Sequence, residues 1–271
     1  DEWLEHEGVP GIQGIDTRAV TQKLRSNGTM LGLLEVSRSI PDETRLKEDL
    51  AAGLVDPNNT DLVGRVTSKE PIDYGAGQGS DTSPVVVLVD CGTKYGILRS
   101  LLERNVRVIQ VPYDYSTDKI LDYEPKGIVI SNGPGDPGKC LDTMKSAKGL
   151  LETNQPIMGI CLGTQIMALA AGAETYKLKF GHRAVNHPCL DLKTGRCYVT
   201  TQNHGYTIRG ESLGDTVFEV SHVNANDKTV EGIQHSDRKG IFGVQWHPES
   251  GPGPYDTRFL FDDFVHLVGS K

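Results

Sequence analysis

From Pro84 onward, short uninterrupted apolar runs alternate with stretches of helical spacing, and few architectures accept that rhythm. Val85-Val86-Val87-Leu88-Val89 is the first such run, and it has no polar face to offer to water. A strand of this kind must be covered on both sides, as in a parallel sheet whose crossover helices lie over both faces. Ile97, Leu98, Leu101 and Leu102 then fall on one helical stripe before Asn105. Further strands are expected at Val106 to Val111, Gly127 to Ser131 and Pro156 to Ile160, with helical segments near 117 to 122 and 139 to 153 between them. Strand-helix repetition of this sort predicts an open α/β sheet with right-handed crossovers. Past Ala173 the pattern turns to strands and turns, at Arg196 to Gln202, Thr216 to Val223, Thr229 to His235 and Ile241 to His247. These read as an antiparallel extension of the sheet, closed by a helix from Asp256 to Val268.

The first third has a different character. Asp16 to Asn27 reads as a short amphipathic helix with Val20 and Leu24 on one side, Asp16 as its cap and Gly28 as its stop. A second covers Asp42 to Ala52, with Leu46 and Leu50 inward. Pro71 to Pro84 is almost free of apolar residues and carries three alternating glycines, which marks a domain boundary. The expected organisation is therefore a small domain over 1–70, a linker over 71–84 and an α/β domain over 85–271.

Composition excludes several classes of function. The chain has 271 residues with 28 Lys plus Arg against 36 Asp plus Glu, a net charge of −8, and a nucleic-acid binder wants the opposite balance. No apolar run approaches the roughly 18 residues of a membrane helix, and the acidic opening Asp1 to Glu7 is unlike a signal peptide. The five cysteines form no C-x-x-C pair, so reduced thiols in a cytoplasmic protein are expected. No initiator Met is present, which fits a fragment or a processed piece.

Three segments could carry chemistry. In Gly159-Ile160-Cys161-Leu162-Gly163 a buried strand runs into a glycine-flanked residue and then an Ala-rich helix, the spacing of a nucleophile elbow. Cys161 would be the nucleophile, its thiolate favoured by the helix N-terminus, with the Leu162 N–H aimed at a developing oxyanion. The same five residues also suit a small cysteine packed in a strand. A thiol nucleophile needs a base and the base an orienting carboxylate; in Trp246-His247-Pro248-Glu249 residues two apart on an extended strand share a face, so His247 and Glu249 can point the same way. Ser131 to Gly138, at the carboxyl end of an expected strand, either exposes backbone N–H groups to a ligand or is a plain Gly/Pro turn. Gln202-Asn203-His204-Gly205-Tyr206 either holds a small polar ligand or makes a turn. His182, His187 and Cys189 match no common zinc spacing and read as a polar loop, and Cys91 as packed core; no metal is expected.

Together, Gly159 to Gln165, Asn132 to Pro137, Gln202 to Tyr206 and His247 to Glu249 resemble the class I glutamine amidotransferases from about Pro84 to the C-terminus. Gly14-Ile15-Asp16-Thr17-Arg18-Ala19, Gly92-x-Lys94-x-x-Ile97-Leu98-Arg99 and Ser250-Gly251-Pro252-Gly253-Pro254 resemble the small, glutaminase subunits of carbamoyl phosphate synthetase. The resemblance implies a class I glutaminase-like α/β fold with a partial N-terminal domain that begins upstream of Asp1, a missing part that usually supplies one further glutamine contact. It implies a triad of Cys161, His247 and Glu249, an oxyanion hole at Gly133 and Leu162, and glutamine held by Gly133, Gly135, Leu162, Gln165, Asn203, Gly205 and Tyr206. It further implies ammonia delivery to a large synthetase subunit that uses ATP and bicarbonate, no cofactor in this chain, and a product that feeds pyrimidine or arginine synthesis. Family members commonly carry His where this chain has Thr164, for which tuned rather than lost activity is expected. The alternatives are another class I glutamine amidotransferase and a non-catalytic regulatory subunit.

Overall fold

The computed structural model describes residues 2–35, 42–75 and 83–269, in two compact units, Asp1–Leu54 and Val55–Lys271. The first unit carries α1 (Glu2–His6), α2 (Thr17–Asn27) and α3 (Glu43–Gly53). Helix α2 starts as its sequence requires, with the Asp16 carboxylate accepting from the Ala19 N–H at 2.9 Å, and it stops at Gly28, whose N–H returns to the Leu24 carbonyl. Asp42 caps α3 in the same way. The opening residues, which show no element by sequence, form α1. The apolar stripes expected to face inward do not: Val20, Leu24 and Leu50 are all exposed, and no residue of the three helices is buried.

The second unit is built on a ten-stranded sheet. In chain order it contains α4 (Val63–Val66), β1 (Ile72–Asp73), β2 (Val85–Asp90), α5 (Tyr95–Leu102), β3 (Arg107–Pro112), α6 (Thr117–Leu121), β4 (Gly127–Ile130), α7 (Leu141–Leu151), β5 (Ile157–Ile160) and α8 (Leu162–Ala170). There follow β6 (Thr175–Asp191), β7 (Cys197–Ile208), β8 (Phe218–Asn224), β9 (Val230–His235), β10 (Ile241–Val244) and α9 (Phe259–Gly269). The spatial order is β1-β3-β2-β4-β5-β10-β9-β8-β6-β7. Strands β3, β2, β4, β5 and β10 are mutually parallel, β1 adds antiparallel to one edge, and β9, β8, β6 and β7 continue antiparallel on the other side. The expected parallel core with an antiparallel extension is observed, and the extension is long enough to make the sheet as a whole a mixed one.

Alternation along the parallel strands divides the core into two layers. Val87, Val89, Ile128 and Ile130 face α6, α7 and α8 through Ile120, Ala147, Leu150, Ile166 and Met167. Val86, Leu88, Val129 and Met158 face α5 and α9 through Ile97, Leu101, Phe261 and Phe264. This two-sided burial explains the absence of a polar face in the Val85 run. The chain leaves β2 toward β3 on one side and returns from β3 to β4 on the other, so the loops after β2 and β4 diverge at the carboxyl ends, where open α/β sheets place their ligands.

Two expectations need correction. The domain boundary falls at Leu54, not in Pro71 to Pro84. Val63 is 1% exposed within the core of the second unit, and Ile72–Asp73 pairs with Gln110 and Ile109 of β3 instead of acting as linker. The remainder of that stretch, residues 76–82, lies outside the described residues. His182, His187 and Cys189 lie not in a loop but on the 17-residue strand β6. Its register against β7 shifts twice, between Lys177 and His182 and between Ala184 and His187, and few of its side chains are buried, so no period-2 apolar signal is written into it. Among the described residues no helix is long and apolar enough to cross a membrane.

Phe264 is wholly buried between α9 and β4, where Gly127 leaves room for its ring. Phe264→Ala should therefore lower stability by about 3–5 kcal/mol, read as a shift of the urea unfolding midpoint at unchanged slope.

Candidate active site

Cys161 sits between the end of β5 and the first turn of α8 with φ +53° and ψ −104°, a region that L-residues rarely enter. The turn is tight because Gly159 and Gly163, two residues to either side, have no side chains. A Cβ on Gly163 would strike the backbone carbonyl of Ile130, and one on Gly159 would come within 2.6 Å of the Met167 sulfur. The result lifts Cys161 out of the strand while its own N–H remains bonded to the Val244 carbonyl of β10 at 2.8 Å.

Because β5 and β10 are parallel and adjacent, the residues after β10 emerge beside Cys161. Strand pairing ends at Val244, so His247 and Glu249 are not on a strand as the sequence suggests; they follow it on a loop. That loop is pinned by the His247 N–H to the Thr201 carbonyl of β7 at 2.9 Å and by the Ser250 N–H to the His247 carbonyl at 3.1 Å. The Nδ1 atom of His247 lies 2.7 Å from Oε1 of Glu249. Burial disfavours a charge on this imidazole, but the Cys161 sulfur and then Glu249 outweigh it and raise its pKa to about 10. Burial likewise works against ionisation of Glu249, yet His247 and Lys94 hold its carboxyl below the usual carboxylate range. Trp246, between Gln245 and His247, points the other way into the α5–α9 layer, where its Nε1–H donates to the Thr257 hydroxyl at 3.0 Å.

Lys94 carried no role in the sequence reading, and it closes this group. Its Nζ lies 2.9 Å from Oε1 of Glu249 and donates to the Ser250 carbonyl at 3.2 Å, while its backbone N–H donates to Oδ1 of Asn132 at 3.0 Å. The loops after β2 and β4 are thereby tied together at the switch point. Gly96, in the first turn of α5, allows the approach, since a Cβ there would lie 2.9 Å from Cγ of Glu249.

The other sequence candidates gather unevenly. Gly133 packs against Leu162, and its missing Cβ is what lets its backbone lie over the Cys91 carbonyl. Gly135 has φ +90° in the same loop. Gln165 is buried in α8 and donates to the Tyr206 carbonyl at 2.7 Å and to Oε1 of Gln245 at 2.9 Å. The Tyr206 hydroxyl reaches Asp136, which joins β7 to the loop after β4; burial first and that carboxylate second push its pKa up. Gly205 lies beside Arg183, and Asn203 projects to solvent between the buried Gln202 and His204. Thr164 donates its hydroxyl to the Val244 carbonyl at 2.7 Å. Three of the remaining cysteines, Cys91, Cys140 and Cys189, are buried thiols whose pKa burial raises, whereas Cys197 is exposed.

His182, His204 and Glu231 bring potential metal-ligating atoms within 4.8 Å of one another. Their donor atoms are already engaged. His182 Nδ1 faces Oε1 of Gln202 at 2.8 Å and of Glu231 at 3.2 Å, and its Nε2 faces Oδ2 of Asp227 at 2.8 Å. Burial opposes its charge, but Glu231 and Asp227 prevail and raise its pKa to about 9, so it is a buried imidazolium clamped between carboxylates. A metal would have to displace that proton.

The parallel core, the elbow and the Cys–His–Glu contact define a class I glutamine amidotransferase, and the chain belongs to that family: the model described as "Glutamine amidotransferase class-I" matches residues 87–267. A second model, "Carbamoyl-phosphate synthase small chain, CPSase domain", matches residues 1–34. Within the family the chain is one of the carbamoyl phosphate synthase small chains. It is 48% identical to that of Methanocaldococcus jannaschii over 100% of this chain and 75% of the other, and 46% identical to that of Methanopyrus kandleri over 98% and 72%. The crystal structure of a Thermoplasma acidophilum protein named for GMP synthase superposes with a TM-score of 0.60 at 28% identity, over 69% of this chain and 95% of that one. Membership among the small chains implies a large-chain counterpart.

The His182 clamp has a pH signature. The folded pKa of about 9 stands above the ordinary 6.5, so its contribution is complete below about pH 6.5 and is lost as pH rises through 9. Urea unfolding at pH 6 and pH 9 should show a larger fall in the native protein than in His182→Asn.

Proposed function

We propose that this chain hydrolyses glutamine to glutamate at Cys161 and passes the ammonia to a large synthetase chain for carbamoyl phosphate formation. The observation that carries this reading is the imidazole of His247, whose Nδ1 lies 2.7 Å from a buried carboxylate and whose pKa the nearby Cys161 sulfur raises. In the proposed reaction the Cys161 thiolate attacks the side-chain amide carbon of glutamine, and the charge moves to the amide oxygen. The N–H groups of Gly133 and Leu162 take up that charge. Collapse breaks the C–N bond, and the nitrogen leaves as ammonia with the proton held on His247. A water, deprotonated by His247, then attacks the thioester; the C–S bond breaks, glutamate departs and the sulfur is restored. Glu249 keeps the imidazole in the required orientation and stabilises its charge, and Lys94 holds Glu249.

Gly135, Gln165, Asn203, Gly205 and Tyr206 complete the proposed glutamine site, supported by the hydrogen bonds that join Gln165 to the Tyr206 carbonyl and Tyr206 to the loop after β4. Hydrolysis through a thioester uses no cofactor in this chain, and ATP and bicarbonate are assigned to the large chain. Five unpaired cysteines suit a cytoplasmic setting.

Glutamate release from glutamine by the purified chain, alone and with a large synthetase chain, tests the reading. Release should rise when the large chain is added and fall by at least about a hundred-fold in Cys161→Ser. Release unchanged in that variant would overturn it.

A further inference from the structure

Gln245 follows β10 directly and is no part of the triad. The parallel register sets Val244 against Ile160, which brings Gln245 level with Cys161. Its side chain is buried, and Nε2 lies 3.6 Å from the Cys161 sulfur, within hydrogen-bonding reach for so large an acceptor. An amide can turn either edge toward a neighbour, so what matters is why the N–H edge faces the sulfur. Oε1 of Gln245 accepts from Nε2 of Gln165 at 2.9 Å, and the same nitrogen donates to the Tyr206 carbonyl at 2.7 Å. A backbone carbonyl only accepts. It therefore fixes which end of Gln165 is nitrogen, and Gln165 in turn fixes Gln245. The Tyr206 carbonyl is itself held by a second donor, Nδ1 of His204 at 2.7 Å. Burial lowers the pKa of His204 to about 4, and its other ring nitrogen, Nε2, faces Oε1 of Gln202 at 3.1 Å.

We propose that Gln245 is a catalytic residue of this site: its amide N–H donates to the Cys161 sulfur, aims it, and stabilises its negative charge both before attack and when the C–S bond of the thioester breaks. The proposal rests on the reading of Cys161 as the nucleophile. In the second half of the reaction the electron pair of the C–S bond returns to sulfur while the proton from water stays on His247, and a donor already in place meets that pair without reorganising. An amide suits the task better than an acid or an imidazole, because it offers an N–H without competing for the proton that Cys161 and His247 share. Sequence reading passed over Gln245 because it lies between a strand and a histidine that claims the attention; only the register across to β5 and the chain of amides show what it faces.

The test uses the full chain with Gln245→Met and the isosteric Gln245→Glu. Iodoacetamide modification of Cys161, located by peptide mass spectrometry, is followed from pH 5 to 9, with thermal melting as the control for folding. In Gln245→Met the pH of half-maximal rate should move up by about one unit, a rate about ten-fold lower on the acid side, while the plateau at high pH is kept. Gln245→Glu, which sets a carboxylate against the sulfur, should move it at least as far. A role confined to packing would lower the melting temperature and leave the profile in place. A native profile in either variant that melts as a folded protein overturns the proposal. Cys161→Ser separates the two readings: if it abolishes glutamate release while the Gln245 variants keep the native profile, only the role of Gln245 falls, and if it still hydrolyses glutamine, the nucleophile assignment fails with it.

Discussion

The pairing of β5 with β10 is what the rest of this molecule depends on. It is the last parallel pairing of the sheet: β10 meets β5 in parallel on one side and β9 antiparallel on the other, where the antiparallel extension begins. Cys161 follows one strand and Gln245, His247 and Glu249 follow the other, so a single parallel register sets how these four residues approach one another. The hydrogen bond from the Cys161 N–H to the Val244 carbonyl is the last rung of that register. Alternation past the rung does the rest: Gln245 and His247 turn toward the sulfur, and Trp246 turns into the opposite layer and anchors the segment. Backbone geometry thus supplies the positions, and the side chains need only the right chemistry.

Electrostatics is arranged around that frame in two groups, each with a buried histidine at its centre. At the site, His247 lies between a sulfur and a carboxylate, and the carboxylate between an imidazole and the Lys94 ammonium, so each charge taken from water finds an opposite one. Some residues away, His182 is held between Glu231 and Asp227 in the antiparallel half. Gln202 joins that clamp to the strand that carries His204 and Tyr206, with its oxygen toward His182 and its nitrogen toward Glu231. The carbonyl that orients Gln165 and Gln245 is therefore part of a strand stiffened by a buried ion cluster.

Much of this was legible in the sequence, and the reasons differ by element. The parallel strands announced themselves because burial on both faces leaves no polar alternation to confuse the pattern. The elbow was legible because a glycine on either side of Cys161 is forced by backbone contact, and the pair His247 and Glu249 because their spacing matched a chemical need. The strand β6 was not legible: its register breaks twice, and its two buried side chains are one histidine and one cysteine, bonded to carboxylates, an amide and a hydroxyl in place of an apolar row. The boundary was misplaced because Pro71 to Pro84 has the composition of a linker, while the contacts that draw residues 55–70 into the second unit are made by isolated side chains such as Val63. Lys94 and Gln245 were missed because each acts on a partner more than eighty residues away.

That separation has a consequence for the life of the chain. Gln245 and His247, which lie beside Cys161, follow it by 84 or more positions. A nascent chain that has emerged as far as α8 can complete its parallel strands and still carries a thiol with neither imidazole nor amide beside it. Both come beside the sulfur only when β10 docks against β5, and α9, which completes the layer over β4, is made later still.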